Sequence, residues 1–260
     1  MKSLCALAAA FFCLAPAGAA TVPVRFPEGV THGYLELRSV DGKLLASGDL
    51  RQNQKNGEVA KRMWFRFKDG SVYDETVTFT QKDIFVLKTY HLVKRGPAFE
   101  DDSEISVNRA TGEYKVTTKD HKGGKEDVDE GKMDMPEDVY NGLILTVVKD
   151  LPNGRGETVH FLAFTPKPRL IELELVPVGK EKMTVGDRAE SAMHYVLKPR
   201  LGAWLKLFAK LTGRDPEDMH AWIDTDEMPA FVGYEGALSP PGPVWRIDTV
   251  CPRRADPKSK

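Results

Sequence analysis

Three cysteines are all that this 260-residue chain holds, and two of them, Cys5 and Cys13, fall within its first twenty residues. Those twenty, Met1 to Ala20, read as a cleaved secretory leader. Lys2 supplies the positive end, and Leu4 to Leu14 form an apolar core too short to span a bilayer. Ala17-Gly18-Ala19 offers the small-residue cleavage site. Removal of the leader leaves Cys251 alone, which excludes an intramolecular disulfide. A chain of roughly 240 residues then has to hold itself by its core, and that length suffices. Cys251 reads as a small buried hydrophobe, with a reactive or intermolecular thiol as the alternative. Cys13 follows Phe11 and Phe12, which lack the small and aliphatic residues that precede a lipid-modified cysteine.

Charge of one sign is also lacking. The whole chain carries 37 Lys+Arg against 38 Asp+Glu, and losing Lys2 moves the formal net charge from −1 to −2. Such balance gives no pull towards nucleic acid. No apolar run after the leader reaches transmembrane length, so the mature chain is expected to carry no transmembrane segment. Catalytic signatures are missing too. No two of the six histidines share a metal-binding spacing, and no metal or other cofactor is expected. There is no nucleophile elbow, and Ser71, Ser191 and Ser239 have no acid–base residues around them. The glycines scatter over turns without forming a phosphate-cradling loop.

What the chain has in abundance is alternation. Leu35 and Leu37 alternate with Glu36 and Arg38; Met63, Phe65 and Phe67 with Arg62, Trp64 and Arg66; Tyr73, Val77 and Phe79 with Asp74, Thr76 and Thr78. A period of two gives each strand one apolar and one polar face, as antiparallel sheets require. Asp41-Gly42, Asp69-Gly70 and Thr111-Gly112 mark hairpins between such runs. Lys119 to Lys132 is almost wholly charged or Gly and reads as a surface loop. Helical spacing follows twice. Pro136, Glu137 and Asp138 look like a first turn ahead of Tyr140, Ile144, Val147, Val148 and Leu151. A second stripe, Leu201, Trp204, Leu205, Phe208 and Leu211, runs from about Arg200 to Leu211. Further strands are expected at Val159–Phe164, Leu170–Val176, Ala192–Leu197, His220–Ile223, Phe231–Tyr234 and Val244–Val250. The expected fold is mainly β: one domain over residues 21–260, with a polar loop near 119–133. Its curved antiparallel sheet, half-barrel or barrel-like, has two amphipathic helices packed on it or plugging it.

Three segments, Met135-Pro136-Glu137-Asp138-Val139-Tyr140-Asn141-Gly142-Leu143, Lys198-Pro199-Arg200-Leu201-Gly202 and Gly242-Pro243-Val244-Trp245-Arg246-Ile247, carry a resemblance. The chain resembles bacterial periplasmic proteins whose curved antiparallel sheet forms an open half-barrel, similar in outline to the lipoprotein-carrier (LolA-like) fold. The resemblance covers most of the mature chain but rests on fold and turn segments. It implies an envelope location and an apolar cavity, and it carries over no catalytic residue.

Two groups of side chains are candidates for function. Tyr140, Ile144, Trp204 and Phe208 are the expected ligand-binding residues, on the two helices. The Trp204–Phe208 stripe, flanked by Arg200, Lys206 and Lys210, admits three roles: capping the core, forming the lid or floor of a cavity, or resting on an anionic membrane surface. The second group is the strand face Asp218, His220, Trp222 and Asp224, which alternation aims one way. A histidine between carboxylates can serve as a general base or one arm of a metal site, and the same residues can equally form a solvated outer face. The leading expectation is an exported, periplasmic or secreted, non-enzymatic protein that binds or carries a lipid or other apolar molecule. An envelope structural factor with a protein partner is the alternative, and a hydrolase-like or metal-dependent enzyme centred on His220 comes third.

Overall fold

The structure, a computed structural model, describes residues 19–121, 124–152, 154–165, 167–200, 218–238 and 242–250. The first half of the chain gives eight strands: β1 (Thr31–Ser39), β2 (Leu44–Lys55), β3 (Glu58–Phe67), β4 (Val72–Gln81), β5 (Phe85–Arg95), β6 (Asp101–Asn108), β7 (Glu113–Asp120) and β8 (Glu126–Lys132). A helix, α1 (Ile144–Asp150), follows. Six strands complete the fold: β9 (Glu157–Thr165), β10 (Lys167–Val185), β11 (Arg188–Arg200), β12 (Met219–Asp224), β13 (Ala230–Ala237) and β14 (Val244–Val250).

All fourteen strands lie in one antiparallel sheet, in the order β8-β7-β6-β5-β4-β3-β2-β1-β14-β13-β12-β11-β10-β9. Sequence neighbours pair except β8 and β9, and one further ladder, Tyr34↔Val250 to Ser39↔Trp245, joins the first strand to the last. The three expected hairpins are present. Gly70 adopts φ +91° in the β3–β4 turn, where a residue with a side chain would be strained.

Alternation sets the two faces. On β3 the inward positions are Val59, Lys61, Met63, Phe65 and Phe67; on β4 they are Tyr73, Glu75, Val77, Phe79 and Gln81. Phe65, Tyr73, Val77 and Phe79 are almost completely buried, and burying each large apolar side chain stabilises the fold by about 1.5–3 kcal/mol. The sheet curls strongly over this face. Tyr90 of β5 stacks on Phe164 of β9, with ring centroids 6.2 Å apart, although nine strands separate their strands in the sheet order. It does not close, because the edge strands β8 and β9 do not pair.

The connection between those two edges fills the curl. Val139, Tyr140, Leu143, Val147 and Val148 are all at most 1% exposed. Asp138 to Asn141 also protect the β9 edge. Tyr140 N–H donates to the His160 carbonyl, and His160 N–H donates to the Asp138 carbonyl. The Asn141 side chain continues this pairing, accepting from Leu162 N–H (2.7 Å) and donating to its carbonyl (2.9 Å). Gly142 follows at φ +68°; a Cβ there would meet Val77 Cβ at 3.2 Å. Residues 20–28 then strap α1 in place. Val22 N–H donates to the Tyr140 hydroxyl (2.9 Å), Arg25 and Phe26 N–H donate to Asp150 (2.6 and 2.8 Å), and Glu28 pairs with Lys149.

Three expectations need correction. Among the described residues there is one short helix rather than two amphipathic ones. The helix expected from Pro136 starts only at Ile144, because the backbone of Asp138 to Tyr140 bonds to β9 instead. The second expected helix, with Trp204 and Phe208, lies outside the described residues, and its first residue, Arg200, ends β11. The polar segment Lys119–Lys132 is largely strand: β7 runs to Asp120 and β8 spans Glu126–Lys132. Its low apolar content reflects an edge strand beyond the core, where charge discourages pairing with other chains. The leader's apolar run and Cys251 also lie outside the described residues.

Candidate functional sites on the two faces of the sheet

The concave face carries an uneven row. Leu50 of β2 is paired in register with Met63 of β3, and Met63 with Glu75 of β4. All three point inward and stay half-buried, while Leu92, next in the row on β5, is buried. Glu75 is thus a carboxyl on the apolar face of a sheet. Both nearby tyrosines donate to the same oxygen: Tyr73 at 3.2 Å and Tyr90 at 3.0 Å from Oε1. Oε2 receives no hydrogen bond from any described residue. Lys61, also inward, donates to the Gly142 carbonyl (3.3 Å) and Thr146 Oγ1 (3.2 Å).

The electrostatics follow from that placement. Burial pushes Glu75 above its ordinary carboxylate range, with Lys61 and the two tyrosine hydroxyls pulling it back. Burial pushes Lys61 down, opposed by Glu28 and Glu75. Tyr73 and Tyr90 are driven well above the ordinary phenol value, by burial first and by the Glu75 charge second.

Of the expected ligand-binding residues, Tyr140 is fully buried with its hydroxyl occupied by Val22, and burial moves its pKa up to about 12. Ile144 is partly buried against the core. Trp204 and Phe208 lie outside the described residues. Leu50, Met63 and Glu75 were not among the expected site residues. The signal was present in β4, where Glu75 interrupts the alternating run Tyr73, Val77, Phe79.

The convex face holds a second constellation, around His220. Glu181 of β10 bridges two side chains on neighbouring strands: its Oε1 lies 2.8 Å from His194 Nδ1 on β11, and its Oε2 accepts from Trp222 Nε1 at 2.9 Å on β12. Trp222 sits directly opposite His194 and stacks on it at 4.9 Å with rings 10° from parallel. His194 Nε2 lies 2.9 Å from His220 Nδ1. His194 is only 8% exposed, whereas the Glu181 side chain is 47% exposed. The Trp222 hydrogen bond, above all, holds the Glu181 carboxyl below its ordinary range.

This chain of bonds has a direction. An ionised carboxylate only accepts, so His194 Nδ1 carries hydrogen. In a neutral ring its Nε2 is then an acceptor, and His220 Nδ1 must donate to it. The lone pair of His220 Nε2 is left as the basic end of the relay.

The structure brings His220 and Trp222 together as expected but not the two aspartates. Asp218 is exposed, and Asp224, half-buried, accepts from Asp226 N–H at 3.0 Å. The partners of His220 come instead from β10 and β11, through cross-strand register invisible in local spacing. The other histidines meet carboxylates singly: His32 with Asp49, His91 with Glu104, His121 with Asp102 and His160 with Asp138. Among the described residues no group of three His, Cys, Asp or Glu is placed to hold a metal ion, and no helix is long and apolar enough to cross a membrane.

No family model, no curated protein and no solved structure matches the chain. What stands on its own geometry is a 14-stranded antiparallel sheet, curled but not closed, with a half-buried carboxyl on its concave face and a Glu–His–His relay on its convex face.

Proposed function

We propose that this is an exported, non-enzymatic protein of the cell envelope that binds or carries a lipid or other apolar molecule on the concave face of its sheet. The observation that carries this reading is the in-register row Leu50–Met63–Glu75, whose three inward side chains stay half-buried beside fully buried neighbours such as Phe65, Tyr73 and Leu92. Curled sheets are frequent ligand sites, and an acyl chain against Leu50 and Met63 would gain about 0.8 kcal/mol per buried CH₂. The role, and a periplasmic or secreted location, also follow from the resemblance of three sequence segments to lipoprotein-carrier-like proteins and from reading Met1–Ala20 as a leader. Native mass spectrometry of protein purified from its own envelope is the test. A retained amphiphile mass is the expected result. Protein that is ligand-free and takes up no fluorescent fatty-acyl probe would overturn the proposal.

A second reading, proton-transfer chemistry at His220, is favoured by one observation, the Glu181–His194–His220 relay. Its reactive atom would be His220 Nε2, acting as a general base. If it operates, His194→Phe and His220→Phe abolish turnover of an activated ester together, and retention of full turnover in either variant removes this reading.

A further inference from the structure

We infer that the concave-face site selects amphiphiles with a primary ammonium head, received by Glu75 Oε2 while the apolar chain lies along Met63 and Leu50. The inference rests on the reading that this face takes an apolar ligand, and it adds the chemistry of the head group.

A carboxyl on an apolar sheet face is costly unless its acceptor positions are satisfied. Here they are satisfied on one side only. Tyr73 and Tyr90 both donate to Oε1, and no described residue donates to Oε2. The other inward charge of this region, Lys61, is committed elsewhere, to the Gly142 carbonyl and Thr146 Oγ1 on the segment that fills the curl. Glu75 is half-buried and keeps part of its side chain open to solvent.

Strand register places the apolar contacts beside this carboxyl. Met63 sits directly across from Glu75, and Leu50 directly across from Met63. A molecule lying across β4, β3 and β2 would meet carboxyl, thioether and isobutyl groups in that order. The thioether side chain is flexible enough to fit chains of different shape. An ionised carboxylate accepts and does not donate. An ammonium group complements it with charge-assisted hydrogen bonds, about twice as strong as neutral ones. A neutral alcohol offers one weaker donor. A fatty acid or alkyl sulfate would bring a second anion to the site and be repelled.

The test is isothermal titration of the mature chain at neutral pH with dodecylamine, dodecanol and dodecanoate, each below its aggregation threshold. It is repeated with Glu75→Gln, which keeps an Oε1 acceptor for both tyrosines. The expected result is dodecylamine binding at least about tenfold tighter than the other two, roughly 1.4 kcal/mol. Glu75→Gln should remove that advantage, lowering dodecylamine affinity at least about tenfold while dodecanol affinity falls far less, with an unchanged far-UV circular dichroism spectrum showing that the sheet is still folded. Equal binding of all three ligands, or an amine preference that survives Glu75→Gln, overturns the head-group inference and leaves the apolar-ligand reading standing. Failure of all three to bind the wild-type protein removes the apolar-ligand reading itself.

Discussion

His194 and His220 share a single hydrogen bond between ring nitrogens, Nε2 to Nδ1 at 2.9 Å, with Glu181 on the far side of His194. That bond holds only while one of the two facing nitrogens is free of hydrogen. When both rings are neutral the expected tautomer has hydrogen on Nδ1 of each, including His220, where free imidazole side chains more often carry it on Nε2. Long-range ¹H–¹⁵N correlation spectra of the two rings check this. Hydrogen found on Nε2 of both neutral rings would show that the relay does not form.

Glu75 makes stability depend on pH in an unusual sense. Its folded-state pKa lies above the ordinary value of 4.5, so its contribution is fully present below that value and is lost as pH rises through the folded pKa. Glu75→Gln escapes that loss and retains an acceptor for Tyr73 and Tyr90. The variant should therefore gain on the wild type in urea unfolding as pH rises from 4 to 8, and exceed it in stability at pH 8. A gap that narrows with rising pH would contradict this placement of the carboxyl.

Asp150 fastens the N-terminal strap, accepting from the backbone of both Arg25 and Phe26. Burial raises its pKa despite those two bonds, and its second oxygen is buried without a hydrogen-bond partner. Asp150→Ala should cost about 1–3 kcal/mol, because two backbone donors lose their acceptor. Asp150→Asn keeps an acceptor and should cost clearly less. Urea unfolding of the three proteins measures both, and equal losses in the two variants would mean that the charge, not the acceptor, holds the strap.

Asn141 stands in for a strand at the edge of β9, satisfying Leu162 N–H and C=O with one side chain. Asn141→Ala exposes both groups, at a cost of about 1–3 kcal/mol, and leaves an unprotected edge. Concentration-dependent self-association on size-exclusion chromatography should follow. Asn141→Asp, which cannot donate to the Leu162 carbonyl, should fall between the wild type and the alanine variant.

The strands were legible wherever one face is apolar and the other polar. Leu35/Leu37, Met63/Phe65/Phe67 and Tyr73/Val77/Phe79 all fall on strands with the expected inward face. Strand β8 was not, because Glu126, Asp127, Asp129 and Glu130 lie beyond the core and period two has nothing to show there. The false helix start at Pro136 has a similar cause. Helical spacing from Tyr140 to Leu151 is real burial, but Asp138 and Tyr140 find their hydrogen bonds on a strand twenty residues onward. The same distance effect hid the relay. Local spacing put Asp218 and Asp224 beside His220, whereas β-pairing supplied Glu181 and His194.

The strand order also bears on how the chain reaches this state. Every ladder but one joins consecutive strands, so most of the sheet forms from short-range closures that cost little chain entropy. The exception joins residue 34 to residue 250 and waits for the last strand. Two meanders, β1–β8 and β9–β14, can therefore assemble independently and are zipped together at the end. A chain ending at Ala237 should keep both meanders' local pairings yet lose the only ladder that joins them among the described residues, turning one cooperative unfolding transition into two.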